Sequence, residues 1–159
     1  MADQIYYDVV ATGTSNTTHS FLTHTEKSDG KTTTNLTEAN KLDKDFVLKR
    51  LELIPASDID TSDALKLFEK AIVEIKIDNQ RVFIAPAVLC LTDAYVAFGS
   101  NGGLTSGQTD QTGVHATMNG YAFDEPITIP ANVKVEVDLI CASAFSTDTN
   151  ITMCLEGSV

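Results

Sequence analysis

The stretch from Val133 to Cys141 constrains the fold of this chain more than any other feature. Valine, leucine or cysteine occupies every odd position, whereas Lys134, Glu136 and Asp138 fall between them. Because successive side chains of a β-strand point to opposite faces, this alternation predicts a strand with one face in a core. The other face meets solvent, which is typical of antiparallel sheets.

The same patterning recurs along the chain and predicts an all-β protein. Phe46–Ile54 is a strong strand that Pro55 ends, and its apolar phase slips around Lys49-Arg50, which predicts a β-bulge. Asp78-Asn79 predicts a turn between two hairpin strands. The further predicted strands are Gln4–Thr12, Ile72–Ile77, Arg81–Ile84, Thr92–Phe98, Ile127–Ile129 and Asn150–Glu156. Short strands separated by turn signals predict a sandwich or barrel of about eight antiparallel strands.

One segment has helical character. Ser57–Lys70 shows a partly amphipathic spacing, and Thr61 or Ser62 is a candidate N-cap. We therefore predict at most one short helix. The chain shows no alternation of strands with helices, which argues against a parallel nucleotide-binding sheet.

Residues 13–45 form a polar segment rich in Thr, Ser, Asn and Lys, with Phe21 and Leu22 as early apolar anchors. We predict an extended N-terminal arm or decorated hairpin on the scaffold of one domain, residues 1–159. Such an arm could order only on a neighbouring subunit, as coupled folding allows.

The charge of the chain disfavours one class of partner. There are 22 acidic and 11 basic residues, a formal net charge of −11. Such a surface repels phosphate backbones, so we expect no direct nucleic-acid binding. Lys49-Arg50 is the only pair of adjacent basic residues and is too small for a basic patch.

The three cysteines are widely spaced among apolar residues, at Cys90, Cys141 and Cys154. An odd, dispersed set does not predict a disulfide framework, so we expect buried free thiols and synthesis in a reducing cytoplasm. The N-terminal residues do not resemble a signal peptide. The apolar stretches are too short to cross a membrane.

Two sets of residues invite a metal-site interpretation. Asp58–Asp63 spaces oxygen ligands as a calcium loop would, but the loop glycine and distal glutamate are missing, which favours an acidic helix start. His19, His24 and His115 have no metal-ligand spacing, and the pattern favours exposed histidines in the arm.

The glycines of Gly99–Gly107 lack the lysine and the helix of a phosphate-binding loop, so a surface loop is favoured. Ser106, Asp110 and His115 supply the residue types of a triad without its nucleophile elbow. We therefore predict no catalytic, cofactor or metal site, and no enzyme.

The order of these features resembles the coat proteins of membrane-containing icosahedral bacteriophages, in the tectivirus and adenovirus-like lineage. The polar arm carries the likeness through Thr23–Lys27, Thr34–Thr37 and Asn40–Leu42. The strand Phe46–Leu53 resembles the first barrel strand of such proteins, and two alternating strands follow near the C-terminus. The length suits one jelly roll, not the double barrel of the best-known members.

The resemblance implies a jelly-roll capsid protein, a major or penton-type subunit of an icosahedral virion shell made in the host cytoplasm. It implies no cofactor. Its expected partners are other copies of itself, a second capsid protein and an internal viral membrane.

Two alternatives stay open. The first is a carbohydrate-binding or adhesin-like β-sandwich module, with ligand residues in Gly99–Gly113 and calcium near Asp58–Asp63. The second is a cupin-type enzyme, which needs clustered histidine ligands that this sequence disperses.

Overall fold

A computed structural model describes residues 2–92 and 119–159. Strands dominate this part of the chain. They are β1 (Asp3–Ala11), β2 (Thr18–Phe21), β3 (Phe46–Pro55), β4 (Ala71–Ile77), β5 (Gln80–Pro86), β6 (Tyr121–Ile129), β7 (Val135–Cys141) and β8 (Asn150–Ser158). The helices are α1 (Glu26–Asp29), α2 (Thr61–Glu69) and a 3₁₀ turn (Ala87–Cys90).

The eight strands form two four-stranded sheets, with strand orders β1-β8-β3-β6 and β2-β7-β4-β5. All neighbouring strands in both sheets are antiparallel. The first strand pairs with the last, the second with the seventh, the third with the sixth and the fourth with the fifth. A chain folded in half in this way and rolled into two sheets is a jelly roll. The predicted all-β fold of about eight antiparallel strands is confirmed.

The core lies between the inward faces of the two sheets, as the alternation predicts. Val135, Val137 and Leu139 of β7 are completely buried, whereas the residues between them are partly exposed. Leu51 and Leu53 of β3 bury their side chains against the same cluster. Burial of such side chains is the main driving force for the fold.

The predicted irregularity in β3 is confirmed as a β-bulge. Leu48 pairs with Gly157 of β8 and Arg50 pairs with Glu156, so Lys49 is the extra residue. A Cβ added to Gly157 would lie 1.9 Å from the Val47 carbonyl oxygen. Only glycine fits at this close approach of β8 to the bulge.

The predicted turn between β4 and β5 is also confirmed. Asp78 and Asn79 both have positive φ angles, of 51° and 63°. Two consecutive left-handed residues are the signature of the type I′ turn, whose twist matches that of the flanking strands.

The helix prediction is correct in place but wrong in its start and cap. Residues 57–60 precede α2, and the Asp60 side chain caps it by accepting from the Ser62 N–H at 3.0 Å. The prediction of at most one short helix is one too few, because Thr25 and Ser28 form a capping box around the single turn α1. In residues 2–92 and 119–159, no helix is long and apolar enough to span a membrane.

Residues 13–45 lie on the scaffold of their own domain, one of the arrangements that the sequence predicts, and need no neighbouring subunit to order them. They contain β2, which pairs with β7, and α1. Phe21, Leu22, Leu36 and Leu42 are all buried in the core of the same chain. The polar composition hid these four anchors, because they are widely spaced among residues that face solvent.

Candidate functional site

One side of the sandwich, formed by β1 and β2, is covered by the chain itself. Residues 31–36 run along the free edge of β1 (the covering segment). The Tyr7 N–H donates to Asn35 Oδ1 at 2.9 Å, and Asn35 Nδ2 donates to the Ile5 carbonyl at 2.7 Å. The Val9 N–H donates to the Thr33 carbonyl at 2.9 Å. These bonds satisfy edge groups that would otherwise be free to pair with another chain.

A buried carboxylate in β1 contacts the chain just before this covering segment. Asp8 is completely buried, and its Oδ2 accepts from the Leu22 N–H at 2.7 Å and lies 3.3 Å from His24 Nδ1. Burial raises the pKa of Asp8, although the His24 and Leu22 contacts act in the opposite direction. Asp8 Oδ1 has no hydrogen-bond partner. One oxygen of this buried carboxylate therefore has a hydrogen bond and the other has none within the described residues.

The other side of the sandwich is formed by β5 and β6 (the β5/β6 side). Among the strands of residues 2–92 and 119–159, each is the last of its sheet. The two strands meet through a cluster of half-buried aromatic rings: Phe83 lies 5.0 Å from Tyr121 and 4.9 Å from Phe123 between ring centroids. The β5/β6 side thus places the edges of both sheets next to each other.

Large apolar side chains are exposed along β5 and the turn that follows it. Val82 and Ile84 are each 44% exposed, and Leu89 is 51% exposed. The stretch from Asn79 to Thr92 contains no Asp or Glu, although the whole chain has 22 acidic residues. An exposed apolar edge without negative charge is a surface that favours contact with another protein.

The two strands of this side differ in charge. Arg81 of β5 has a side chain that is 57% exposed, and its Nε lies 3.2 Å from Glu74 Oε2. Asp124 and Glu125 of β6 are exposed. They lie in a bulge of β6, because Arg50 pairs with Ala122 whereas Leu48 pairs with Ile127. The β5/β6 side therefore carries a positive charge on one strand and two negative charges on the other.

The acidic stretch Asp58–Asp63 serves the fold of the chain itself. Asp63 is completely buried and accepts from the Ser146 N–H at 2.8 Å, the Thr147 N–H at 3.1 Å and Lys66 Nζ at 2.9 Å. Burial alone would raise the pKa of Asp63, but these donors outweigh it and hold the pKa below its usual value. Asp60 is the helix cap. These two carboxylates act as the acidic helix start that the sequence favours, and Asp63 also anchors the loop before β8.

The histidine interpretation is partly wrong, since His19 is buried. The alternation of β2 turns His19 and Phe21 inward, and His19 packs against Phe145 with 5.4 Å between ring centroids. Burial lowers the pKa of His19. His24 instead contacts Asp8, so the two histidines do not converge. His115, Ser106, Asp110 and the glycine-rich stretches 99–107 and 99–113 lie outside the described residues, as do most of the predicted strand 92–98.

The prediction of free thiols is confirmed for all three cysteines, and the prediction of burial for two of them. Cys90 and Cys141 are buried, whereas Cys154 is only half-buried. Burial raises the pKa of Cys90 to about 12 and that of Cys141 and Cys154 to about 11. Thiols in this state are protonated near neutral pH and poorly reactive.

A cleft of about 490 Å³ lies on the outer face of the first sheet, next to the bulge in β3. Lys49 and Arg50 line it, and Arg50 donates to the Asn119 carbonyl at 2.6 Å and lies 3.7 Å from Glu156. Nearby, burial and the negative charge of Glu156 raise the pKa of Glu52. Within residues 2–92 and 119–159, no three His, Cys, Asp or Glu side chains are grouped so as to hold a metal ion.

The lack of acidic residues between Asn79 and Thr92 is visible in the sequence and could have marked β5. The position of that strand beside β6 could not have been recognised in the sequence, because it depends on the topology of both sheets. No protein-family model matches the chain, and no curated protein or solved structure matches it significantly.

Proposed function

We propose that this chain is a structural coat subunit that assembles with copies of itself into an icosahedral virion shell. The observation that carries the proposal is the jelly-roll topology, with sheets β1-β8-β3-β6 and β2-β7-β4-β5. Viral capsid proteins are among the main users of this fold. Because a fold alone does not imply a function, the surface has to supply a second argument.

The proposal is also supported by polar side chains that bind other parts of their own domain. Asp8, Asp60 and Asp63 each bind a part of their own chain. His19 packs against Phe145 in the interior. In the described residues, side chains of the types that an enzyme or a metal protein would direct at a ligand are bound within the domain, which is compatible with a structural subunit.

The proposal is further supported by the difference between the β1/β2 side of the sandwich and the β5/β6 side. A shell subunit needs surfaces that meet other subunits in a fixed geometry. The β5/β6 side offers two strand edges and exposed apolar residues, while the acidic remainder of the surface keeps copies apart until a specific contact forms. A major or a penton-type role, with an internal membrane or a second coat protein as partner, is compatible with this arrangement.

The proposal is tested by measuring particle mass. The purified full chain is examined by size-exclusion chromatography with light scattering over a range of protein and salt concentrations, followed by negative-stain imaging. We expect ring-shaped or closed oligomers whose population rises with concentration. A strictly monomeric chain under all these conditions would contradict the proposal.

The same sample tests the carbohydrate-binding alternative, because jelly rolls also occur in lectins. A sugar-binding module gives selective signals on a glycan array and a calcium-dependent rise in melting temperature. A coat subunit gives neither, and its melting temperature instead rises with protein concentration, as it does for any protein that is stabilised by self-association.

A further inference from the structure

We infer that the β5/β6 side is the surface through which two copies of this chain meet, with Arg81 of each copy facing Asp124 and Glu125 of the other. The inference deepens the proposed function and rests on it, because it names the contact surface of the assembling subunit.

The strand edges on the two sides of the sandwich differ in how they are covered. β1 is covered by its own covering segment, whereas within residues 2–92 and 119–159 β5 and β6 each end their sheet and pair with one strand. An uncovered edge presents backbone N–H and C=O groups in a row that another strand can bind. Of the two sides of the sandwich, the β5/β6 side is thus the one with edges available for pairing.

The β5/β6 side also has exposed apolar surface. Val82 and Ile84 project from β5 with nearly half of their surface exposed. Contact with a second copy removes this surface from water, which is favourable in proportion to the apolar area. The half-buried rings of Phe83 and Phe123 lie beneath the same side and provide a firm base for such a contact.

The charges on the β5/β6 side favour a second copy of this chain as the partner. Phe83 and Phe123 are in contact, so Arg81 lies two residues from this point on β5 and Asp124 one residue from it on β6. A two-fold axis through this side brings the basic strand of one copy to the acidic strand of the other, twice. Surfaces of this kind are self-complementary, as a symmetric dimer contact must be.

The present contact of Arg81 leaves this interaction open. Its Nε lies near Glu74, but more than half of the side chain is exposed. Arginine has five N–H donors in a planar fork and can bind two carboxylates together. Asp124 and Glu125 are exposed on the same side and supply the second partner.

The test uses paired charge reversal in the full chain. Arg81→Glu places an acid opposite the two acids of the other copy, and the double variant Asp124→Lys, Glu125→Lys places lysines opposite Arg81. Each variant alone is expected to weaken self-association at least about tenfold, since favourable contacts become repulsive. Lys27→Glu is the matched control, because it makes the same charge change on the exposed surface of α1.

Mixing the two reversed variants is the decisive arm. Every contact in a mixed pair again joins opposite charges, so light scattering is expected to show association only in the mixture. Restoration cannot arise from damaged folding of either variant. Association of the single variants equal to that of Lys27→Glu, or a mixture that stays dissociated, would overturn the inference and leave the proposed function standing. A wild-type chain that never associates would overturn both.

Discussion

The two sides of this sandwich differ in whether the hydrogen-bonding groups of their strand edges are covered. At β1, the covering segment donates and accepts the hydrogen bonds of the edge, and Asp8 contacts the chain at Leu22 and His24. At β5 and β6, the edges have no such cover in residues 2–92 and 119–159, and Val82 and Ile84 of β5 are partly exposed. In the described part of the chain, the domain thus protects the β1 edge with its own residues and leaves the β5 and β6 edges without such protection.

The largest effect on folding is expected at the covered side, at Phe21. We expect Phe21→Ala to lower the free energy of unfolding by about 4 kcal/mol, because it removes a fully buried ring from the core. Urea denaturation of the dissociated chain measures this. Lys27→Ala, on the same segment but exposed, is the control. A negligible effect of Phe21→Ala would mean that residues 13–45 do not pack on their own domain.

The variant Asp63→Asn tests whether this buried carboxylate anchors the loop before β8. Asp63→Asn is expected to cost about 3 kcal/mol near neutral pH, because four donors, one of them charged, lose their anionic acceptor. The pKa of Asp63 is lowered in the folded state, so its stabilisation is present above the unfolded value near 3.8 and is lost as the pH falls through the folded pKa. Denaturation curves of both proteins should therefore converge in acid. A constant difference at all pH values would refute this assignment.

Asp8, at the covered side, should behave in the reverse sense and with a smaller effect. Its pKa is raised, so the folded state holds the proton more tightly, and the stability due to this group falls as the pH rises from about 3.8 through the folded pKa. Asp8→Asn removes that dependence. Relative to wild type, the variant should be more stable at pH 7 than at pH 4, as urea titrations at both values will show. The opposite trend would mean that the His24 contact dominates over burial.

The smallest effect on folding is expected at the uncovered side. Ile84→Ser should lower the free energy of unfolding by only about 1 kcal/mol, because 44% of the residue is already exposed in the folded chain. The same variant should weaken self-association. Leu65→Ser, which alters a comparably exposed leucine on α2, is the control for both measurements. Equal association of the two variants would remove Ile84 from the contact.

Periodicity in the sequence was sufficient to predict most strands, because each strand buries one face and the alternation records this directly. It also predicted the bulge at Lys49, where the apolar phase slips. The packing of residues 13–45 could not be predicted, since Leu36 and Leu42 are single anchors without a repeating pattern. The burial of His19 followed from a four-residue strand that is too short to show alternation in a polar context.

The candidate surface was the hardest to predict for a related reason. Arg81 and Asp124 are far apart in sequence, and only the pairing of β4 with β5 and of β3 with β6 brings their strands to one side. The absence of acids between Asn79 and Thr92 is a composition signal that gains meaning once β5 is known to be an edge.

Hydrogen exchange measures whether the β5/β6 side is the contact between copies, when the assembled wild-type chain is compared with the dissociated Arg81→Glu variant. On assembly, the amides of β5 (Gln80–Pro86) and β6 (Tyr121–Ile129) should gain protection, whereas β1 (Asp3–Ala11), already covered, should change little. Protection that appears at β1 while β5 and β6 exchange as in the dissociated chain would contradict a contact through the β5/β6 side.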